Sequence, residues 1–285
     1  MLPALSRVTT ATLSLLVLGA VIAAAPSVHR TLPAEASQDT TMTPRASSSA
    51  GAISRVNASH DTAPEQDPAI VAALIERLGD SNAGVRRAAA SSLGNLKSRK
   101  AVPPLIATLA DKNREVRAAA ADALGNIEDE RAIAPLARLL KDPSADVRRE
   151  VLHALAQLKD ASVATAVMPL LGDDNADVRG SALSTLRELR APIPEAAVMK
   201  ALDDPSYDVR LRAVEVVREQ ALSAALVIVL RKMMLEDASS DVRQSVVEAL
   251  SEARSPAARD ALRVALTSPD AKVRRAAAEV LGSRP

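Results

Sequence analysis

The 285-residue chain has no cysteine, no phenylalanine and no tryptophan, and Tyr207 is its one aromatic residue. Without cysteine there are no disulfides, no thiolate chemistry and no cysteine-ligated zinc. Without rings there is no stacking platform for single-stranded nucleic acid and no aromatic cage for a cationic ligand. A single large core is usually filled with such rings, so their absence points to a core built locally from Ala, Leu and Val. Charge of one sign is missing too. Lys and Arg total 36 against 35 Asp and Glu, a net charge of +1, so no strong field favours nucleic acid or a membrane. The catalytic inventory is equally thin. The three histidines, His29, His60 and His153, are scattered and make no metal cluster. No glycine-rich phosphate loop, G-x-S-x-G elbow or H-E-x-x-H pair occurs. Neither a metal nor a cofactor is expected.

The N-terminal quarter does not read as fold. Residues 1–25 carry one basic residue, Arg7, then an apolar run from Val8 to Ala25 that ends in Ala23-Ala24-Ala25 before Pro26. That is the layout of an export segment: a cleaved secretory signal, or an uncleaved anchor at the short end of what spans a bilayer. Residues 26–67 are rich in Ser, Thr, Ala and Pro without sustained period, and read as a disordered linker. Export to the periplasm or outside follows as the expectation, with membrane contact only if residues 8–25 stay attached.

Residues 68–285 are a repeat. Val-Arg pairs recur at 85–86, 116–117, 147–148, 178–179, 209–210, 242–243 and 273–274, with spacings of 31, 31, 31, 31, 33 and 31. A period of this length marks stacked helix pairs. The second helix of each pair begins near Val-Arg and carries apolar residues at intervals of four, four and three, as in Val116, Ala120, Leu124 and Ile127, which share one helical face. A first, shorter helix ends in a leucine-rich turn. Pro103, Pro135 and Pro169 precede these leucines in what reads as one register, arguing for a built-in bend. Between the helices lie tight turns such as DKNRE and DPSAD, and an acid recurs just before the valine: Glu115, Asp146, Asp177, Asp208 and Asp241. Carboxylates there suit a cap or a first turn. The expected fold is all-α, seven stacked antiparallel helix pairs of about 31 residues.

Two sets of residues stand out. Arg86, Arg117, Arg148, Arg179, Arg210, Arg243 and Arg274 follow the valines. The recurrence of turn acids with them favours an internal ladder, each arginine bonding acids of its own or an adjacent unit, over a basic binding stripe. On the second helices, Arg87, Arg149, Glu188, Arg212, Glu215 and Gln244 are candidate contacts on an inner face. Unit six is irregular: its loop reads as two residues longer, and Met233-Met234 suits either an adaptable contact surface or an extended, core-packing first helix.

The stretches at 111–127, 142–158 and 268–282 resemble HEAT repeats, in particular the short bacterial type found in phycobilisome lyases. The resemblance implies a right-handed α-solenoid and a non-enzymatic scaffold or adaptor that binds another protein along its concave face. Some members of this repeat class take part in attaching bilins, so a lyase-like subunit or chaperone for a modified partner is the alternative. Others belong to a diiron hydroxylase that uses His-Glu pairs, and none occurs here. Weak binding to a nucleic-acid backbone through exposed arginines is a third reading, with no nucleic acid expected.

Overall fold

A computed structural model describes residues 67–253 and 255–283. The proposed export segment and nearly all of the linker lie outside them, as do His29 and His60. Among the described residues all regular structure is helical: fourteen α-helices and four 3-10 segments. The helices are α1 (Pro68–Arg77), α2 (Ala83–Asn95), α3 (Val102–Thr108), α4 (Arg114–Ile127), α5 (Ile133–Leu139), α6 (Ala145–Leu158), α7 (Ala164–Val167), α8 (Ala176–Glu188), α9 (Glu195–Leu202), α10 (Tyr207–Arg218), α11 (Ala224–Glu236), α12 (Ser240–Glu252), α13 (Pro256–Ala265) and α14 (Ala271–Gly282). Each odd-numbered helix packs on the even one that follows, and consecutive even helices pack on each other from α2 to α14. The result is a solenoid of stacked helix pairs without a sheet. No helix among the described residues is long and apolar enough to cross a membrane.

The even helices start where the turn supplies a cap. The Asn113 side-chain oxygen accepts the amides of Glu115 and Val116 at 2.8 and 3.2 Å, and Asn82 and Asn175 do the same one unit away on either side of the Asn113 and Ser144 turns. The side-chain cap is Asn on α2, α4 and α8, Ser239 on α12 and Asp270 on α14, and in none of them the acid before the valine. Those acids lie exposed in the first helical turn. At the other end, Lys97, Glu128, Lys159 and Arg190 stop α2, α4, α6 and α8 in the left-handed conformation, with φ between 49° and 57°. They recur every 31 residues without a glycine among them.

The core is the aliphatic pattern read from the sequence. Val116, Val147, Val178, Val242 and Val273 are fully buried, as are Leu93, Leu124 and Leu186. Val85 is the exception at 38% exposed, because no unit precedes it among the described residues. Small residues set the closest approach: a Cβ on Gly94 would stand 2.6 Å from the Ala123 Cα, and one on Gly125 2.8 Å from the Ala154 Cα.

Two expectations change. The prolines share no register, lying 14 residues before Arg117 (Pro103), 13 before Arg148 (Pro135) and 10 before Arg179 (Pro169). Each sits in the first turn of its own helical segment, where a missing amide costs no helical hydrogen bond. They mark starts, and a 3-10 turn runs directly into α3 and into α5. In unit six the turn is not longer, since Asp237 precedes Arg243 by six residues as Asp204 precedes Arg210. The extra length falls in α11, which has 13 residues against 7 in α3 and α5. Met233 and Met234 are buried in the core there.

Candidate functional site

The arginine of every Val-Arg pair but the last is wired twice. In Arg117, Nη1 donates to the Asp111 carbonyl at 2.9 Å, inside its own turn. Its Nε and Nη2 donate to the two carboxylate oxygens of Asp142, in the next turn, at 2.7 and 2.8 Å. The same bidentate geometry joins Arg86 to Asp111, Arg148 to Asp173, Arg179 to Asp204 and Arg210 to Asp237. Each of these aspartates also accepts an amide of its own turn, such as Asn113 on Asp111 or Ser144 on Asp142, both in the 2.8–2.9 Å range. One aspartate therefore holds the preceding unit's arginine with its side chain and its own unit's arginine with its carbonyl. The chain of contacts runs unbroken from the Asp80 carbonyl to Asp270.

The last unit exchanges two roles. Ser268 occupies the place of the turn aspartate and Asp270 that of the capping residue. Asp270 still pairs with Arg243 while capping α14 through the Lys272 amide at 2.8 Å. Arg274 keeps the backbone half of the pattern, donating to the Ser268 and Pro269 carbonyls at 2.6 and 2.9 Å, and meets no carboxylate among the described residues.

Electrostatics follow the geometry. The Arg86 guanidinium holds the Asp111 carboxyl below its ordinary range against the opposing effect of burial. Burial pushes Asp142, Asp173, Asp204 and Asp237 up, but hydrogen bonds from their arginines and turn amides outweigh it and leave all four lowered. The arginine partners are raised, so the pairs are ionised throughout ordinary conditions.

The even helices also form a grooved face. One hollow of about 460 Å³ lies over α2, α4 and α6, lined by Arg87, Arg114, Ala118, Asp122 and Glu150. A second of about 450 Å³ adjoins it over α6, α8 and α10, lined by Arg149, His153, Glu188, Arg212 and Glu215. A third, about 780 Å³, continues over α8 and α10 past Arg187, Ile193 and Glu219. Five of the six inner-face candidates line these hollows, while Gln244 sits half-buried on α12 and lines none of them. Glu150 is half-buried at the junction of the first two, where burial and the nearby Asp122 charge push its carboxyl up.

A feature of this face went unread in the sequence. The residue eight positions after each ladder arginine is Gly94, Gly125 and Ala156 in the first units, then Arg187 and Arg218, and Ser251 and Gly282 in the last two. At Gly94 and Gly125 neighbouring even helices meet backbone to backbone. Where it is arginine, the side chain bridges to the next helix instead: Arg187 to Glu219 at 3.2 Å and Glu215 at 3.8 Å, and Arg218 to Glu248 at 3.6 Å and to Glu252. These side chains are about a third to somewhat over a half exposed, and Arg187 with Glu215 and Glu219 lines the second and third hollows. Comparing the units position by position would have found the change.

Among the described residues no three His, Asp or Glu side chains converge into a metal-binding group. What remains is a repeat solenoid, internally cross-linked, with a groove of mixed charge along one face. The chain belongs to the HEAT-repeat family: the model of HEAT repeats matches residues 71–156, 103–187, 135–218 and 195–282. Among solved structures it is similar to the Escherichia coli protein YibA (20% identity, 75% of this chain and 92% of that one, TM-score 0.53). It is also similar to an engineered protein (22% identity, 74% and 67% covered, TM-score 0.50). A third is the CpcE–CpcF complex of phycocyanin lyase from a Nostoc species (22% identity, 79% and 98% covered, TM-score 0.49). Comparison with curated proteins returns no match.

Proposed function

We propose that this chain is a non-enzymatic scaffold that binds another protein along the concave side of a right-handed solenoid of seven units. The observation that carries the reading is the run of three adjoining hollows over successive even helices, on a frame the ladder holds together. A partner laid along it would meet many modest contacts on a pre-formed surface, with little ordering cost. The ladder arginines support the reading from the other side. Six of the seven guanidiniums are committed to aspartates, so they are not a stripe of free cations for phosphate. Export by residues 1–25, with 26–67 as tether, belongs to the same proposal and places the partner in the cell envelope.

The test is a cross-linked pull-down from the native envelope with the full chain as bait and an Arg149→Glu, Arg212→Glu double variant as control. One stoichiometric partner, lost in the variant, is the expected result. A partner retained equally by the variant would move the binding surface off the groove, and none above background would sink the scaffold reading.

A further inference from the structure

The last even helix repeats the first. Val273-Arg274-Arg275-Ala276-Ala277-Ala278 reproduces Val85-Arg86-Arg87-Ala88-Ala89-Ala90, and Leu281-Gly282 reproduces Leu93-Gly94. In α2 this surface receives α4. Arg86 reaches Asp111 ahead of α4, Ala90 is fully buried, and Gly94 admits the Ala123 backbone. In α14 the same surface is empty among the described residues. Arg274 and Ala278 are exposed, although the positions equivalent to Ala278 in the six preceding units are buried without exception. A Cβ on Gly282 would meet nothing within 4 Å.

The opposite end offers the matching half. Asp80 precedes Arg86 by six residues, as Asp111 precedes Arg117, and among the described residues it meets no arginine from a preceding unit. Its carboxylate holds the Asn82 amide at 2.8 Å and Arg77 only at 3.8 Å. Val85 and Ala88 are exposed where Val116 is buried and Ala119 half-buried, and Ser92, small like Ala123, stands where Gly94 receives that alanine. Solenoid ends normally carry a polar outer face. Here Ile70 and Val85 at one end and Leu266 at the other are among the most exposed large apolar side chains.

We propose that the chain assembles head to tail, with α14 of one copy packing on α2 of the next as α2 packs on α4. Arg274 donates to Asp80 of the next copy, continuing the ladder across the junction, and Gly282 admits the backbone beside Ser92. The interface joins two different surfaces, so each added copy leaves one free head and one free tail. The proposal is independent of what the groove binds.

Sedimentation velocity on the full chain tests it. The wild type should grow with concentration. Gly282→Leu fills space that is open in the single copy but blocks the tail, and Val85→Arg blocks the head at an exposed position. Arg274→Glu removes the tail's ladder contact without touching its packing. Each variant alone should remain monomeric at a circular-dichroism signal equal to wild type. An equimolar mixture of Gly282→Leu and Val85→Arg retains one good head and one good tail, and should stop at a 1:1 dimer. A wild type that stays monomeric at every concentration, whether because residues 1–66 cover the head or for any other reason, overturns the proposal. So do variants that associate as the wild type does, or a mixture that fails to dimerise.

Discussion

Arg148 and Asp173 stand 25 residues apart in the chain and meet as a bidentate pair, Nε to Oδ2 at 2.7 Å and Nη2 to Oδ1 at 2.6 Å. Both side chains are at most 15% exposed. Removing one partner leaves a buried, uncompensated charge and an unpaired turn. Asp173→Asn or Arg148→Met should therefore cost about 3 kcal/mol. Replacing both by apolar residues, Arg148→Met with Asp173→Leu, should cost less than either single change. Urea unfolding of the three variants checks the order, and a double variant as weak as the sum of the singles would count against the pair being buried in the sense argued.

The lowered carboxyls give a definite acid response. Asp111, Asp142, Asp173, Asp204 and Asp237 bind protons less readily folded than unfolded. The stability they supply is present in full above the unfolded carboxyl range, near pH 4. It is lost as pH falls through their lower folded values. Unfolding midpoints in urea should thus stay level from pH 7 to about 5 and drop steeply below about 4. The shallower acid limb of Asp173→Asn is the control. Asp129, whose carboxyl Arg131 pulls down to about 2, should show that midpoint directly in a carbon-detected NMR titration.

Glycine in the even helices is a packing choice. In isolation Gly125→Ala would favour a helix by up to about 1 kcal/mol. Here the new Cβ meets the Ala154 Cα at 2.8 Å, backbone that cannot swing away. A net loss of about 1–3 kcal/mol is expected. Gly282→Ala, which meets nothing within 4 Å, should leave the single copy's stability level or slightly higher. Thermal melts at low concentration separate the two.

Periodicity made the helix pairs legible, because apolar spacing and turn chemistry act within one unit. Partner identity was less so. The sequence shows that acids recur with the arginines, but the conspicuous acid before five of the seven valines turns out to be an exposed first-turn residue. The carboxylate that takes Arg117 is Asp142, which opens the following turn, and spacing alone does not reveal which of two recurrent acids faces inward. The paired methionines at 233–234 were ambiguous for a related reason: an apolar run reads alike on a surface and in a core until the neighbouring helix is placed. The Gly-to-Arg change eight residues after the ladder arginine was visible at the repeat period, yet both residues occur routinely on helices. Only the backbone contact across Gly94 and the bridge from Arg187 show that the position governs how neighbouring helices meet.

Lys159 ends α6 at φ 55° and donates its amide to the Ala156 carbonyl. A side chain with a Cβ pays a steric penalty of roughly 1–2 kcal/mol in that conformation. Glycine escapes it but loses more entropy on folding, by roughly 0.5–1 kcal/mol. Lys159→Gly should therefore be level or stabilising by up to about 1 kcal/mol, since Lys159 makes no ion pair among the described residues that would be lost. Lys159→Val forces a β-branched residue into the same φ and should destabilise by about 1 kcal/mol or more. Chemical unfolding of the two variants side by side reads the difference. Equal stabilities would mean that α6 can end in another way, with the turn at Asp160 taking up the change.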